Sequence, residues 1–414
     1  MAFIAGYELT WAARQYRDRE ALVFGDRRLS FTEVNRRGNR FANALRGLGL
    51  DKNHRVAVLL NNSVESLDTV FGAAKAGVTY VALNARHTAA EQRQILEDAE
   101  PTLIVAGAEF QEVIDTATRD LPGLKAVHGV GWSHTGQDDF ETLIGRADDR
   151  EPGIEVEFDD LLRLHYTSGT TGRPKGILFT HRRYYQRQNN FFTALEYGLG
   201  TEDSMIHVGP LTHAAGNYLM PYYLRGARNI VMPRFDPGDM QAIIERERVS
   251  SLLLVPTMLI RLLEELDRER FDLSSVGRIN YGTAPMPVDT LRQGIADFGS
   301  VFREHYGLSE CPQPTTLLQP YEHVVEGPEH EVRIQNGKLS GSHRGNRLSA
   351  VVDPMGGLKG TYTDPENDSF EMDGKYKGRE IKGYIRGTKK GAGWDPTFCE
   401  LNLKLKPLSA RVTD

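Results

Sequence analysis

Between Leu164 and His181 the chain reads LHYTSGTTGRPKGILFTH, gathering glycines, hydroxyl side chains and one lysine ahead of an apolar stretch. Glycine adopts backbone angles closed to other residues, so Gly169 and Gly172 let successive N–H groups turn toward one centre. Concave arrays of amides bind phosphate oxygens. Thr167, Ser168, Thr170 and Thr171 add hydroxyl donors, and Lys175 adds a point charge suited to a phosphate. The commoner nucleotide loop places four residues between its first glycine and a Gly-Lys-Ser/Thr ending. Here two residues separate Gly169 from Gly172, and Pro174 precedes Lys175, so this is a different kind of phosphate loop. A turn of purely structural use is the alternative, and the length of YTSGTTGRPKG argues against it.

Other reactive side chains carry less context. Cys311 sits beside Glu310, but nothing near it in sequence would lower a thiol pKa, so it reads as inert. His181, His207 and His305 stand without a motif, except that His305 directly precedes Tyr306. The run RRYYQRQNNFF interleaves charge with aromatic rings, as a base-stacking surface would. Its position after the loop fits better the opening of a helix, with Arg182 and Arg183 solvated.

The elements around the loop must position it. RVAVLL (Arg55 to Leu60) is a β-branched strand run, VESLDTVFGAAKAG has helical spacing and stops at Gly77, and VTYVAL is the next strand. TAAEQRQILEDAE and PTLIVAG continue the alternation. DMQAIIERERV, SSLLLVP, TMLIRLLEEL and VGRINYGTAP repeat it later in the chain. Strand–helix alternation at this spacing implies parallel sheets covered by helices. Loops at the carboxyl ends of such strands are where ligands bind.

The expected fold is therefore α/β: two α/β subdomains with parallel-rich sheets packed face to face over residues 1–320. From 321 to 414 the texture changes to a Gly-rich β-module, a small antiparallel sheet or partial barrel. GKLSG at Gly337, GGLKG at Gly356 and GKYKG at Gly374 start 19 and 18 residues apart, a period suited to paired strands with turns.

Composition removes several classes of function. A net charge of −6 offers no basic face for nucleic acid. Two cysteines cannot make a disulfide framework or a metal finger. No run of about 18 apolar residues could span a bilayer, and the first residues lack the basic segment of a signal peptide. A cytoplasmic location is the expectation.

The string YTSGTTGRPKG resembles the phosphate loop of the adenylate-forming superfamily, which includes acyl-CoA synthetases, peptide-synthetase adenylation domains and luciferases. Three stretches agree in order and spacing: PLTHAAG (210–216) is similar to the acyl-pocket segment, INYGTAPMP to the adenine-flanking segment, and EHYGLSE to the family's Tyr-Gly-x-Thr-Glu. The resemblance covers about residues 10 to 320.

It implies ATP, Mg²⁺ and a carboxylic acid as ligands, with coenzyme A as a co-substrate. The loop from Thr167 to Lys175 would hold the β- and γ-phosphates, and Glu310 with Thr167 would hold Mg²⁺, a hard cation that prefers oxygen. Tyr306 would stack on adenine, with Gly307 beside it and Gly282, Thr283 and Ala284 lining its other side, small residues that let a flat base approach. Ser309 replaces the family's threonine and keeps its hydroxyl. His213 would stand at the carboxylate end of the acyl pocket. The AAGNYLMPYYL that follows is small and then apolar, fitting an apolar or aromatic acid.

The resemblance also shows what the 414 residues lack. No Thr-Gly-Asp follows EHYGLSE, no Arg-containing hinge follows it, and KLKPLSARVTD does not present a lysine in the family's Pro-x-x-x-x-Gly-Lys setting. The first reading is thus an ATP-dependent, acyl-CoA ligase-like enzyme, impaired without the lid and its lysine. The alternatives are a truncated or fused relative that binds nucleotide or acyl group without catalysis, and a junction near residue 320 that joins an interrupted ligase to an unrelated module.

Overall fold

A computed structural model describes residues 5–167, 174–195, 198–311 and 314–323, together with seven strands between 332 and 404. Residue contacts divide the chain into two units, Met1–His323 and Val324–Asp414.

In the first unit, β1 (Glu20–Phe24) and β2 (Arg27–Ser30) form a hairpin. Then come β3 (Arg55–Leu59), β4 (Thr79–Ala82), β5 (Leu103–Gly107) and β6 (Ala126–Val130). The loop that opened the sequence lies between β7 (Leu161–Thr167) and β8 (Lys175–Thr180). β9 (Ser204–His207), β10 (Arg228–Val231), β11 (Ser251–Leu254), β12 (Arg278–Gly282), β13 (Phe302–Tyr306) and β14 (Thr316–Leu318) complete the unit.

These strands make two sheets. One runs β6-β5-β3-β4-β7-β8, parallel throughout except for the antiparallel β7–β8 edge. The other runs β14-β13-β12-β11-β9-β10-β1-β2, parallel at its centre, with β14 and β2 as antiparallel edges. Central strands such as β5 and β9 are buried along their whole length, as strands covered on both faces must be.

Local chemistry sets the helix ends. Ser30 with Glu33, Ser63 with Ser66 and Thr88 with Glu91 close capping boxes at three helix starts. The helix Val64–Ala76 stops on Gly77, whose φ of 70° is the left-handed cap that glycine adopts without strain. One apolar core joins Leu67 and Phe71 of that helix to Leu22 of β1, Phe179 of β8 and Tyr218. Elements of both sheets therefore share it. Among the described residues no helix is long and apolar enough to cross a membrane.

Asn62, just past β3, ties the sheets together at their carboxyl ends. Its amide donates to the carbonyls of Gly209 (2.9 Å) and Met232 (3.1 Å), and its oxygen accepts from the Leu211 amide (2.9 Å). Asn62→Ala leaves three backbone groups unpaired, two in buried and one in half-buried hydrogen bonds, and is expected to cost about 2–3 kcal/mol. Urea titration reads it, and a loss under about 0.5 kcal/mol would show that water replaces the clamp.

The second unit is a seven-stranded antiparallel sheet in simple chain order: β15 (Val332–Gln335), β16 (Lys338–His343), β17 (Asn346–Val352), β18 (Gly357–Thr363), β19 (Ser369–Lys377), β20 (Glu380–Arg386) and β21 (Cys399–Lys404). The small antiparallel sheet anticipated there is present as a meander. The repeat glycines Gly341, Gly360 and Gly374 lie within β16, β18 and β19.

Candidate active site

The loop is held at both ends by one hairpin. Thr167 closes β7, Lys175 opens β8, and the two are register partners. Ser168, Gly169, Thr170, Thr171 and Gly172 lie outside the described residues. Lys175 is exposed and Thr167 partly so.

Period-two alternation along β7 sends Leu164 and Tyr166 into the core, while Arg163, His165 and Thr167 share the opposite face. His165 meets His213 edge to face, ring centroids 5.4 Å apart. The PLTHAAG loop therefore lies against the strand that ends at the phosphate loop. Arg163 secures this arrangement, donating from Nη2 to Nδ1 of His165 (3.0 Å) and to the Thr212 carbonyl. Burial, then the nearby charge of Arg163, pushes His165 down to about 3. Burial also lowers His213, against a hydrogen bond to the Thr212 backbone carbonyl that raises it. Both rings are neutral at pH 7. A neutral imidazole can orient a carboxylate by a single N–H without pairing to it as a cation.

The two C-terminal motifs meet across the other sheet. Gly282 ends β12 opposite His305 on β13, and a Cβ at residue 282 would collide with the His305 carbonyl oxygen. Thr283 follows with φ 67°, a costly conformation for a β-branched residue. Ala284 and Tyr306 are exposed beside it, Tyr306 at 53%. A bare backbone edge and an uncovered ring fit the two sides of a slot for a flat ligand.

From Tyr306 the chain turns through Gly307, Ser309 and Glu310, and Thr315 N–H donates back to the Tyr306 carbonyl (2.8 Å). Arg183, on the helix His181–Asn190 after β8, donates to the carbonyls of Leu178 (2.6 Å) and Glu310. The hairpin that holds the loop thus also holds the acidic residue. Arg183, expected to be solvated, is instead the tie between the two motifs, because its helix lies against β8 and its guanidinium reaches past Phe179. Tyr218 and His305 add a second link between segments, hydroxyl to Nδ1, at 3.2 Å.

Among the described residues no cluster of three histidine, cysteine or acidic side chains could cage a metal. Glu310 is exposed, and a single carboxylate suits Mg²⁺, which keeps most of its waters and phosphate oxygens.

The class this arrangement defines is borne out by comparison. The profile of the AMP-binding enzyme family matches residues 9–340, and the chain belongs to that family. Feruloyl-CoA synthase of Amycolatopsis sp is 32% identical over 322 residues, covering 77% of this chain and 62% of that protein. Long-chain-fatty-acid–CoA ligase FadD13 of Mycobacterium tuberculosis is 32% identical over 296 residues, 71% of this chain and 57% of the ligase. The chain thus spans about three-fifths of the length of these relatives. The inhibitor-bound N-terminal domain of FACL13 from Mycobacterium tuberculosis superimposes with a TM-score of 0.72 at 26% identity, over 93% of this chain and 99% of that one. The fold is the α/β architecture of acyl-CoA ligase N-terminal domains, and the chain is acyl-CoA ligase-like.

Proposed function

We propose that the chain binds ATP·Mg²⁺ and a carboxylic acid and joins them as an acyl-adenylate with release of pyrophosphate, the acyl group then passing to coenzyme A. The observation that carries this reading is the meeting of motifs around one hairpin: Thr167 paired with Lys175, His165 of the same strand against His213, and Arg183 of the following helix on the Glu310 carbonyl. In it Lys175 and the loop 167–172 hold the β- and γ-phosphates. Glu310 and Thr167 hold the metal, Tyr306 covers adenine against Gly282, Thr283 and Ala284, and Gly307 and Ser309 shape the turn. His213 orients the attacking carboxylate. Two anions must approach each other, so charge neutralisation and positioning supply most of the rate. Feruloyl-CoA synthase and FadD13 are named for an aromatic and a fatty acid, which supports a carboxylic acid as the substrate class.

These 414 residues are proposed to turn over slowly by themselves. They hold no Thr-Gly-Asp to grip the ribose and no lysine in the family's setting to meet charge developing at the α-phosphate. Each loss is of the size of one charge-stabilising donor, about 3–4 kcal/mol. Calorimetry with ATP·Mg²⁺ and ATP–pyrophosphate exchange across a panel of acids test both parts. Nucleotide binding with slow exchange is the expected result. Absence of nucleotide binding overturns the ligase reading, and brisk turnover overturns the impairment. The same sequence observation favours a second reading, a nucleotide- and acyl-binding protein without catalysis, for which binding would persist with no exchange at all.

A further inference from the structure

Leu211 and Gly216 of the PLTHAAG loop border a cavity of about 70 Å³, whose other walls include Arg163, Arg187, Gln188, Tyr80 and Asn217 together with apolar side chains. Such a buried wall would ordinarily be apolar, and two guanidiniums in it require an explanation. Neither makes an ion pair among the described residues. Arg163 spends Nη2 on His165 and the Thr212 carbonyl, and Arg187 spends Nη1 on Asn217 Oδ1 at 2.6 Å. The Nε of each is buried without a hydrogen-bond partner among the described residues. The Tyr80 hydroxyl and the Gln188 amide belong to residues only 3% exposed and have no well-formed hydrogen bond, although the hydroxyl lies beside Thr69 and the amide beside the Tyr184 hydroxyl.

The one acidic group that acts on Arg187 offsets at most part of the pair's charge. Glu8 accepts a hydrogen bond from Tyr184 (2.6 Å), and burial pushes its carboxyl up to about 7 against the pull of that bond and of the Arg187 charge, so it is about half ionised at neutral pH. Burial lowers both guanidiniums, Arg187 to about 10, which leaves Arg187 charged at neutral pH. A buried positive charge without a full counter-charge is costly. Unpartnered donors around a cavity with room for a carboxyl-sized group say what would offset that cost.

The placement also says which end of a ligand belongs here. Arg163 stands four residues before Thr167 on an extended strand, roughly 13 Å from the phosphate loop at about 3.3 Å per residue. A β-bulge between Leu161 and Arg163 turns both Leu162 and Arg163 toward the cavity. Arg187 is one helical turn beyond Arg183, stacked over Phe179 and Tyr184. The reacting carboxylate belongs next to His213; Arg163 reaches the adjoining Thr212 carbonyl and Arg187 reaches Asn217 on the helix that follows, so a second anion held by these guanidiniums belongs to a short acid.

We propose that the acid this chain takes carries a second anionic group at its far end, held by Arg163 and Arg187, so that the substrate class is a short dicarboxylic acid. The proposal rests on the ligase reading for which end of the acid reacts. Its test is binding to the full chain, by calorimetry and thermal shift, of glutarate, adipate and pimelate against pentanoate, hexanoate and heptanoate. ATP·Mg²⁺ binding is measured in a parallel arm. Dicarboxylates are expected to bind at least tenfold tighter than the monocarboxylates of equal length. Arg187→Met and Arg163→Met are each expected to erase that preference, and Arg187→Lys to retain part of it. Arg187→Met should melt cooperatively at or above the wild-type temperature, since it removes an incompletely compensated buried charge; this keeps loss of binding distinct from loss of fold. Equal binding of the two acid classes, or a preference that survives both methionine variants, overturns the proposal. Failure of every acid to bind also overturns it, and the nucleotide arm then shows whether the ligase reading falls with it.

Discussion

Glu310→Gln is expected to lower ATP–pyrophosphate exchange by roughly 10²–10³-fold, the usual cost of removing one group that stabilises transition-state charge. It should also weaken the dependence of nucleotide binding on Mg²⁺. The substitution is clean for a structural reason. What fixes residue 310 in place is its main-chain carbonyl, held by Arg183, and its side chain is exposed. Glutamine keeps shape and backbone contact while removing the negative charge, so folding stability should change by no more than about 0.5 kcal/mol. The companion variant Arg183→Ala removes the tie and keeps the carboxylate. It should lower exchange with little change in the Mg²⁺ concentration needed for half-maximal binding, since a displaced ligand still attracts the metal in solution. Exchange by Glu310→Gln at the wild-type rate would show that the metal is held elsewhere, and the assignment of this carboxylate would fall.

Much of this geometry could be read from the chain because each motif is short, contiguous and placed after a run that is unmistakably a strand. RVAVLL, SSLLLVP and INYG are β-branched or apolar runs bounded by turn residues, so their carboxyl ends, and hence the loops that matter, are fixed by local chemistry. What stayed hidden depends on which strand lies beside which. Nothing local says that β7 and β8 form an antiparallel edge, since their pairing is decided by the room left next to β4. The run RRYYQRQNNFF shows the limit well. Its charge density reads as a solvated face, and Arg182 does pair at the surface with Asp159. Arg183 and Arg187 are four apart and share a face, and that face turns toward Phe179. A signal was available: Tyr184, Gln188 and Phe191 recur at helical spacing and are all buried. That stripe marks the inner side and leaves Arg187 at its border. Likewise, Arg163, His165 and Thr167 follow one another at period two, which on a strand means one shared face.

Acidification is expected to destabilise the first unit well above the range in which surface carboxylates protonate. His181, His207 and His305 are buried, and burial pushes each of them down to about 4. Their unfolded value is near 6.5, so their contribution is fully present above that pH and is lost as pH falls toward 4. Each takes up one proton on unfolding in that window, about 1.4 kcal/mol per pH unit. His165, pushed to about 3 but partly accessible, adds to the same trend. Glu8 and Asp68 oppose it. Burial raises both to about 7, so the folded state holds their protons where the unfolded state does not, and they gain stability as pH falls from 7 toward 4.5. Three to four protons against two leave one to two, or about 1.4–2.7 kcal/mol lost per pH unit between pH 6 and 4.5. Below that the two carboxyls stop compensating. Glu247, held at about 2 by hydrogen bonds and charge from Arg28 against the opposing effect of burial, joins the loss. Urea unfolding at several pH values reads the slope, and His181→Leu isolates its origin. Neither ring nitrogen of His181 has a partner among the described residues, so leucine removes one titrating proton without breaking a hydrogen bond. The variant should lose about 1.4 kcal/mol per pH unit from the slope and be at least as stable as wild type at pH 7. An unchanged slope would mean that this histidine is protonated in the folded chain, and the acid sensitivity would have to come from the carboxylates instead.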